Sequence, residues 1–219
     1  MALKETWSAL TARLNSGGQW LPPLALRLIL FWEFWEAGMQ KHNGSNWFTS
    51  IQDNFPFPFD SIPANVSWAM ATYGEIIGAV LLLLGLFTRF AAISIIVITA
   101  VATAAVHWPE SWGSLGQLWE SYAISKGDGT GNFKLPLIFI VMALPLVFSG
   151  GGKLSLDNLL SRFMGNTDSN RVVSDFASIG LVLLVLGVTL YFVMPVFGLL
   201  LLAGGVALIL ANKFMTPKG

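Results

Sequence analysis

The sequence has no cysteine and little charge. Among its 219 residues the absence of cysteine excludes disulfides, thiolate metal ligands and cysteine redox chemistry within this chain. Charged residues make up 11% of the chain, against about 25% in soluble domains. The formal net charge is zero, which gives no reason to expect a nucleic-acid partner. Because water solvates so uncharged a surface poorly, we expect membrane lipid to cover much of it.

Hydrophobic residues are abundant instead, at 54%, and they cluster in long segments. A helix that crosses a bilayer needs roughly 20 mainly apolar residues. Six segments approach that length: residues 21–42, 66–87, 90–107, 135–148, 176–193 and 196–211. They predict an all-α membrane protein, with a four-helix transmembrane bundle in residues 21–162 and a C-terminal transmembrane hairpin in residues 176–211.

Two further segments have amphipathic character. Trp7, Leu10 and Leu14 recur at helical spacing within residues 1–20, which favours a helix on the cytoplasmic surface of the membrane. A disordered polar tail is the alternative for this segment. A short amphipathic helix is also expected after Lys153.

The basic residues in the loops predict the orientation. With both termini in the cytoplasm, the inner side holds Lys4, Arg13, Arg89, Lys153, Arg162, Arg171, Lys213 and Lys218, and the outer side holds Lys41, Lys126 and Lys134. We therefore expect a multi-pass protein of the bacterial cytoplasmic (inner) membrane with cytoplasmic N- and C-termini.

Carboxylates within the apolar segments are the first candidates for chemistry, because ionisable groups are costly in lipid. Glu33 and Glu36 are three residues apart on one helical face, and Gln40 extends that face. Glu75 follows Gly74, a close-packing residue with Gly78, which predicts that it points inward toward Glu33 or Glu36. Three such carboxylates could relay protons, bind a cation or accept hydrogen bonds from a quinol. The alternative is that they are neutral and bond to helix backbones or indole N–H groups.

The two histidines are the second candidates. His42 and His107 both fall at outer helix ends, where they could meet and bind haem, copper or zinc, with Glu36 as a further ligand. No ligand spacing supports this, and a solvated or capping histidine is the alternative. Arg27 is expected to snorkel to headgroups or to pair with a carboxylate in a structural role.

Three stretches carry a resemblance to a known family. The first has Arg27 near its start and Gly38 and Lys41 near its end, in a Gly-x-x-Lys pattern. The second begins with Gly74-Glu75 and ends with Gly-Leu-Phe-Thr-Arg at residues 85–89. The third is Gly-Gly-Gly-Lys-Leu-Ser-Leu-Asp at residues 150–157. In this order they resemble the DoxX family. The resemblance implies a four-helix membrane bundle, in which Arg27, Lys41, Arg89, Ser155 and Asp157 match motif positions with structural or topological roles. The hairpin and the pair Glu33 and Glu36 depart from the family pattern.

Some DoxX members are subunits of quinone-linked oxidoreductases, notably thiosulfate:quinone oxidoreductase, and others accompany thiol-stress enzymes or maturation systems for metal-binding peptides. The resemblance therefore implies a quinone-linked oxidoreductase subunit that acts with a partner redox protein. Glu33, Glu36 and Glu75 would then exchange protons, while Trp35 and Gln40 would contact the quinone. The alternative is a non-catalytic membrane partner in metal handling or metal-binding-peptide maturation, with His42 and His107 as its surface. A small-solute or proton transporter is a third class, but the sequence has no broken-helix pattern that would support it.

Overall fold

The computed structural model describes residues 2–165 and 173–215, and within those ranges the chain is helical without any β-strand. The α-helices are α1 (Ala2–Gly18), α2 (Leu21–Asn43), α3 (Ala64–Leu84), α4 (Thr88–Ala102), α5 (Leu115–Glu120), α6 (Lys134–Ser149), α7 (Leu156–Phe163), α8 (Phe176–Tyr191) and α9 (Pro195–Met215). Short 3₁₀ segments follow α2 at Phe48–Asn54 and Phe59–Ser61, and a π-helical turn, Thr103–His107, continues α4.

The predicted helical segments are confirmed to within a few residues. The helix predicted in residues 1–20 is present as α1, so the alternative of a disordered tail is wrong, and the amphipathic helix after Lys153 is present as α7. The second apolar segment ends at Leu84 rather than at residue 87. Its helix stops there because Gly85 and Phe87 take positive φ values of 62° and 47°, which no α-helix accommodates. The predicted basic residues Arg171 and Lys218 lie outside the described residues.

Three of the described helices are long and apolar enough to cross a membrane. These are Ala64–Leu84, Thr88–His107 and Pro195–Lys213, with mean hydropathies of 1.6, 2.2 and 2.1. The apolar helices Lys134–Ser149 and Phe176–Tyr191 have 16 residues each, or about 24 Å, against a hydrocarbon core of about 30 Å. Helix α2 has 23 residues but carries Arg27, Glu33, Glu36 and Lys41. The count of six spans remains a prediction.

The chain groups into two compact units, one of Met1–Gly44, Ala71–Ile95 and Val141–Ser169, the other of Ser45–Met70, Ile96–Ile140 and Asn170–Gly219. The predicted division into residues 1–20, 21–162 and 176–211 remains a prediction. In the first unit Leu30, Leu82, Ile95 and Leu146 are fully buried. Their side chains come from α2, α3, α4 and α6, so this unit has an ordinary helix-bundle core.

The second unit contains the helical hairpin of α8 and α9. The two backbones approach closely at glycine, since a Cβ on Gly180 would lie 2.7 Å from the carbonyl oxygen of Gly205. Asp175 caps α8 by accepting a hydrogen bond from the backbone N–H of Ser178 at 2.8 Å, and its other carboxylate oxygen accepts from Asn212 at 3.0 Å. Close packing at glycines and the hydrogen bond between Asp175 and Asn212 thus hold the hairpin together.

Candidate functional site

An open groove lies on the surface of α2, at some of the predicted site residues. It has a volume of about 550 Å³. Its lining residues are Trp32, Trp35, Glu36, Met39, Gln40 and Asn43. They occupy positions i, i+3, i+4, i+7, i+8 and i+11 of the helix, so a single face builds the groove. Three of the predicted site residues, Trp35, Glu36 and Gln40, are therefore together, while Glu33 is not in the lining.

The groove combines flat apolar surface with adjacent polar groups. Trp32 is 66% exposed and Trp35 38% exposed, and Trp35 packs against Phe31 with ring centroids 5.9 Å apart. The side-chain amide of Gln40 lies 3.4 Å from a carboxylate oxygen of Glu36, one turn away. The site thus offers a hydrogen-bond acceptor and a donor beside exposed indole rings.

Glu75 has a different partner from the one the sequence predicts. It is 6% exposed, so its inward orientation is confirmed. Its carboxylate accepts hydrogen bonds from the ammonium group of Lys41 at 2.8 and 3.0 Å, whereas Glu33 and Glu36 are exposed. The expectation that Glu75 faces those two carboxylates is therefore wrong: α2 turns a lysine, not its glutamates, toward α3.

Close packing at Gly38 determines which face of α2 is turned toward α3. A Cβ on Gly38 would lie 2.6 Å from Cγ1 of Ile76 and 3.3 Å from Cβ of Glu75, so α2 and α3 approach closely here. Lys41 is three residues from Gly38 and shares its face, while Glu33 is five residues away, about 140° around the helix. The short approach at Gly38 places Lys41 beside Glu75 and leaves Glu33 on the opposite side.

Substitution of Gly38 by alanine tests this packing. The added methyl group would collide with Ile76, and overpacking of this kind costs about 1–3 kcal/mol. We expect a lower thermal midpoint for the purified protein in mild detergent. Gly17→Ala is the control, since a Cβ there would meet nothing within 4 Å and alanine favours the helix. A Gly38→Ala protein as stable as the wild type would show that α2 and α3 are not in tight contact.

Arg27 is buried rather than snorkelling, with 2% of its surface exposed. Its guanidinium donates to four backbone carbonyls: to Leu82 and Leu83 at 2.7 Å each, to Leu154 at 2.7 Å and to Gly151 at 3.0 Å. Leu82 and Leu83 lie in the last turn of α3, whose carbonyls have no partner within the helix. Arg27 thus joins the end of α3 to the loop before α7, and its expected structural role is confirmed.

The other motif residues also bind backbone groups. The Asp157 carboxylate accepts from the N–H groups of Phe87 and Thr88 at 2.7 and 2.8 Å, at the start of α4. The Arg89 guanidinium donates to the carbonyls of Val147 and Phe148 at the end of α6. The Ser155 hydroxyl accepts from the N–H of Asn158 and so caps α7. Each is a helix-end contact, so these residues position helices rather than meet a ligand.

The two histidines belong to different units. The ring of His42 packs edge-on against Tyr73, with centroids 6.2 Å apart. Nδ1 of His107 lies 2.9 Å from the side-chain oxygen of Asn132, whose own amide donates to the carbonyl of Ile124. Among residues 2–165 and 173–215, no group of three His, Asp or Glu side chains could hold a metal ion. The pairing of the histidines around a metal or haem remains a prediction.

Two matches with known proteins identify the family of this chain. A protein of Haemophilus influenzae, described as an uncharacterized protein, is 41% identical over 139 residues, which cover 64% of this chain and 83% of that relative. The family model for DoxX matches residues 23–108. The chain belongs to the DoxX family. No solved structure matches it.

The DoxX match covers the candidate site and several of the residues that hold the bundle. Arg27, the Lys41–Glu75 pair and Arg89 all lie within residues 23–108, as does the whole α2 groove. The contact of Lys41 with Glu75 was not predicted from the sequence. The spacing of Lys41 from Gly38 does put these two residues on one helical face. The groove residues Trp32, Met39 and Asn43 were also missed, because their positions on one exposed face carry no chemical signature of their own.

Proposed function

We propose that this DoxX protein is the membrane subunit of a quinone-linked oxidoreductase and that the α2 groove holds the quinone head group. The observation that carries the proposal is the placement of Glu36 and Gln40 beside exposed Trp32 and Trp35 on one face of α2. A quinone ring needs a flat apolar surface, and its two oxygens need hydrogen-bond partners. Indole rings supply the first requirement, and a carboxylate with an amide supplies the second.

The polar groups of the groove match the two redox states of the ligand. A quinol hydroxyl donates a hydrogen bond, which the carboxylate of Glu36 accepts; a quinone carbonyl accepts one, which the amide of Gln40 donates. Glu36 lies seven residues before the end of α2, about 10 Å along the helix axis. In this proposal Glu36 therefore exchanges its proton near the end of the helix.

The electrons of the proposed reaction require a partner subunit with a redox group. Reduction of a quinone to a quinol takes up two electrons and two protons, and oxidation returns them. In the proposed complex Glu36 exchanges protons with the bound head group, and a redox group on a partner subunit exchanges the electrons. Glu75 is assigned to the Lys41 pair that holds α2 against α3, and Glu33 is given no role in the chemistry.

The basic residues support the proposed placement in the membrane. Arg89, Lys153 and Arg162 lie at helix ends or in loops that the charge rule assigns to the cytoplasm, together with Lys4, Arg13 and Lys213. On this basis we propose a location in the bacterial inner membrane, with both termini in the cytoplasm.

Quinol binding to the protein in lipid nanodiscs tests the proposal. Decylubiquinol should quench part of the tryptophan fluorescence in a saturable manner. Glu36→Gln removes a charged acceptor whose hydrogen bond is worth about 1.5–3 kcal/mol, so the dissociation constant should rise about ten- to a hundredfold. Glu33→Gln is the matched control: it neutralises an exposed carboxylate on the same helix but outside the groove, and it should leave the affinity unchanged.

Two results would contradict the proposal. One is an absence of saturable quenching by the wild-type protein. The other is an equal loss of affinity in Glu36→Gln and Glu33→Gln, which would indicate a general effect of membrane charge. Copper or zinc near one equivalent in the purified protein would instead favour the metal-handling alternative, which rests on His42 and His107.

A further inference from the structure

Helix α1 has one apolar face that nothing in the described chain covers. Leu3, Trp7, Leu10 and Leu14 are 89%, 70%, 46% and 66% exposed. Their spacing of three and four residues puts all four within about 60° of one another around the helix axis. A soluble helix would turn such a face toward a core, so this face requires another apolar surface.

The charges of α1 are arranged around that face. Lys4 and Arg13 lie about 90° to either side of its centre, while Glu5 lies on the opposite, polar side. All three side chains are exposed. Basic residues at the edges of an apolar face, with the acid directed away, match the boundary between anionic headgroups and acyl chains.

Helix α7 repeats the pattern in the same unit. Leu156, Leu159, Leu160 and Phe163 lie on one face and are 36–81% exposed. Arg162 lies beside this face. The acid of α7, Asp157, accepts hydrogen bonds from the N–H groups of Phe87 and Thr88, so its carboxylate is already engaged.

Contacts in the first unit connect the two helices to the start of α2. The backbone N–H of Lys153 donates to the carbonyl of Gln19 at 3.0 Å, just after α1. A Cβ on Gly152 would lie 2.8 Å from that same oxygen and 3.0 Å from the ring of Pro23. Since α2 begins at Leu21, both amphipathic helices are attached at the start of this 23-residue helix.

We propose that α1 and α7 together form a docking surface for the bilayer that selects anionic phospholipid headgroups. The exposed leucines, Trp7 and Phe163 insert among the acyl chains. Lys4, Arg13, Lys153 and Arg162 bind the phosphates at the edges of that apolar surface. Attachment to the start of α2 favours lipid over a soluble protein partner, because it holds both faces at the membrane boundary.

Spin labelling of the full-length protein in nanodiscs tests the surface. Because the chain has no cysteine, Leu10→Cys and Ser8→Cys each provide a unique site for a nitroxide, on the apolar and polar faces of α1. In phosphatidylcholine with about 30% phosphatidylglycerol, the Leu10→Cys label should be accessible to oxygen and protected from a water-soluble nickel chelate. The Ser8→Cys label should show the reverse.

Charge selectivity is tested by neutralisation. On the Leu10→Cys background, Lys4→Gln and Arg13→Gln should each lower the ratio of inserted to free helix about fivefold in the anionic nanodiscs, with little effect in phosphatidylcholine alone. Lys126→Gln is the control, since that exposed lysine lies outside both helices. Equal nickel access for the two labels would overturn the proposal. So would protection of the Leu10→Cys label from both reagents, which indicates a protein contact, or equal insertion in the two lipids.

Discussion

Replacement of Arg27 by alanine should destabilise the protein by more than about 4 kcal/mol, the largest effect we expect from any single change. Four backbone carbonyls, two in buried and two in partly buried hydrogen bonds, lose a charged donor, and each such bond is worth about 1.5–3 kcal/mol. Against a typical total stability of about 5–15 kcal/mol, this loss removes a large part of the free energy of unfolding. Thermal unfolding in mild detergent should show a midpoint at least about 8 °C lower.

Two variants separate the geometry of Arg27 from its charge. Arg27→Lys keeps the charge but has a single nitrogen, which cannot reach both the end of α3 and the carbonyls of Gly151 and Leu154; its midpoint should lie between those of the wild type and the alanine variant. Arg13→Ala, at an exposed position on α1, should change stability by less than about 0.5 kcal/mol. The assigned network would be refuted if Arg27→Ala unfolded within a degree or two of the wild type.

The second large loss of stability should come from changes to the Lys41–Glu75 pair. Substitution of the lysine should cost more than neutralisation of the glutamate. Lys41→Met leaves the carboxylate of Glu75 unpaired at 6% exposure and should cost about 3–5 kcal/mol. Glu75→Gln should cost less, because Lys41 retains 19% side-chain exposure and lies two residues from the end of α2, where its ammonium group reaches water. Denaturation in mixed detergent micelles would measure both free energies.

A double-mutant cycle measures the interaction between Lys41 and Glu75. It compares the double variant Lys41→Met with Glu75→Met against the two single methionine variants. Two apolar side chains of similar volume remove both charges, so the double variant should recover at least about 1.5 kcal/mol relative to the sum of the matched single changes, Lys41→Met and Glu75→Met. Simple additivity of the single effects would show that the two groups do not interact in the folded protein. Glu33→Gln should leave stability nearly unchanged, since that carboxylate is exposed.

The sequence predicted the helices well because long apolar runs are a local signal. Glycine at positive φ ended α3 earlier than hydropathy alone suggested, and Gly85 marks that end in the sequence. The orientation of α2 was harder to predict. Three carboxylates within apolar segments suggested one cluster, but their positions in the sequence do not give the rotation of α2 around its axis.

The contacts of Arg27 and His107 show what a single sequence leaves out. Arg27 bonds to carbonyls 55 to 127 residues away, and a carbonyl is present at every position, so no side-chain pattern marks its partners. Asn132 is the hydrogen-bond partner of His107 only because the loop after α5 brings it back to the end of the π-helical turn. Contacts that depend on the path of the chain in space require the folded structure.

The buried guanidinium of Arg27 also constrains the order of events during biosynthesis. Its last carbonyl partner, Leu154, leaves the ribosome 127 residues after it, which takes about 6–25 s at typical elongation rates. Throughout that interval Arg27 is part of the nascent α2, while its acceptor Leu154 has not yet been synthesised. Helix α2 therefore cannot reach its final burial before the fourth apolar helix and the loop behind it have emerged, so the insertion machinery or the lipid headgroups must accommodate Arg27 until the bundle closes.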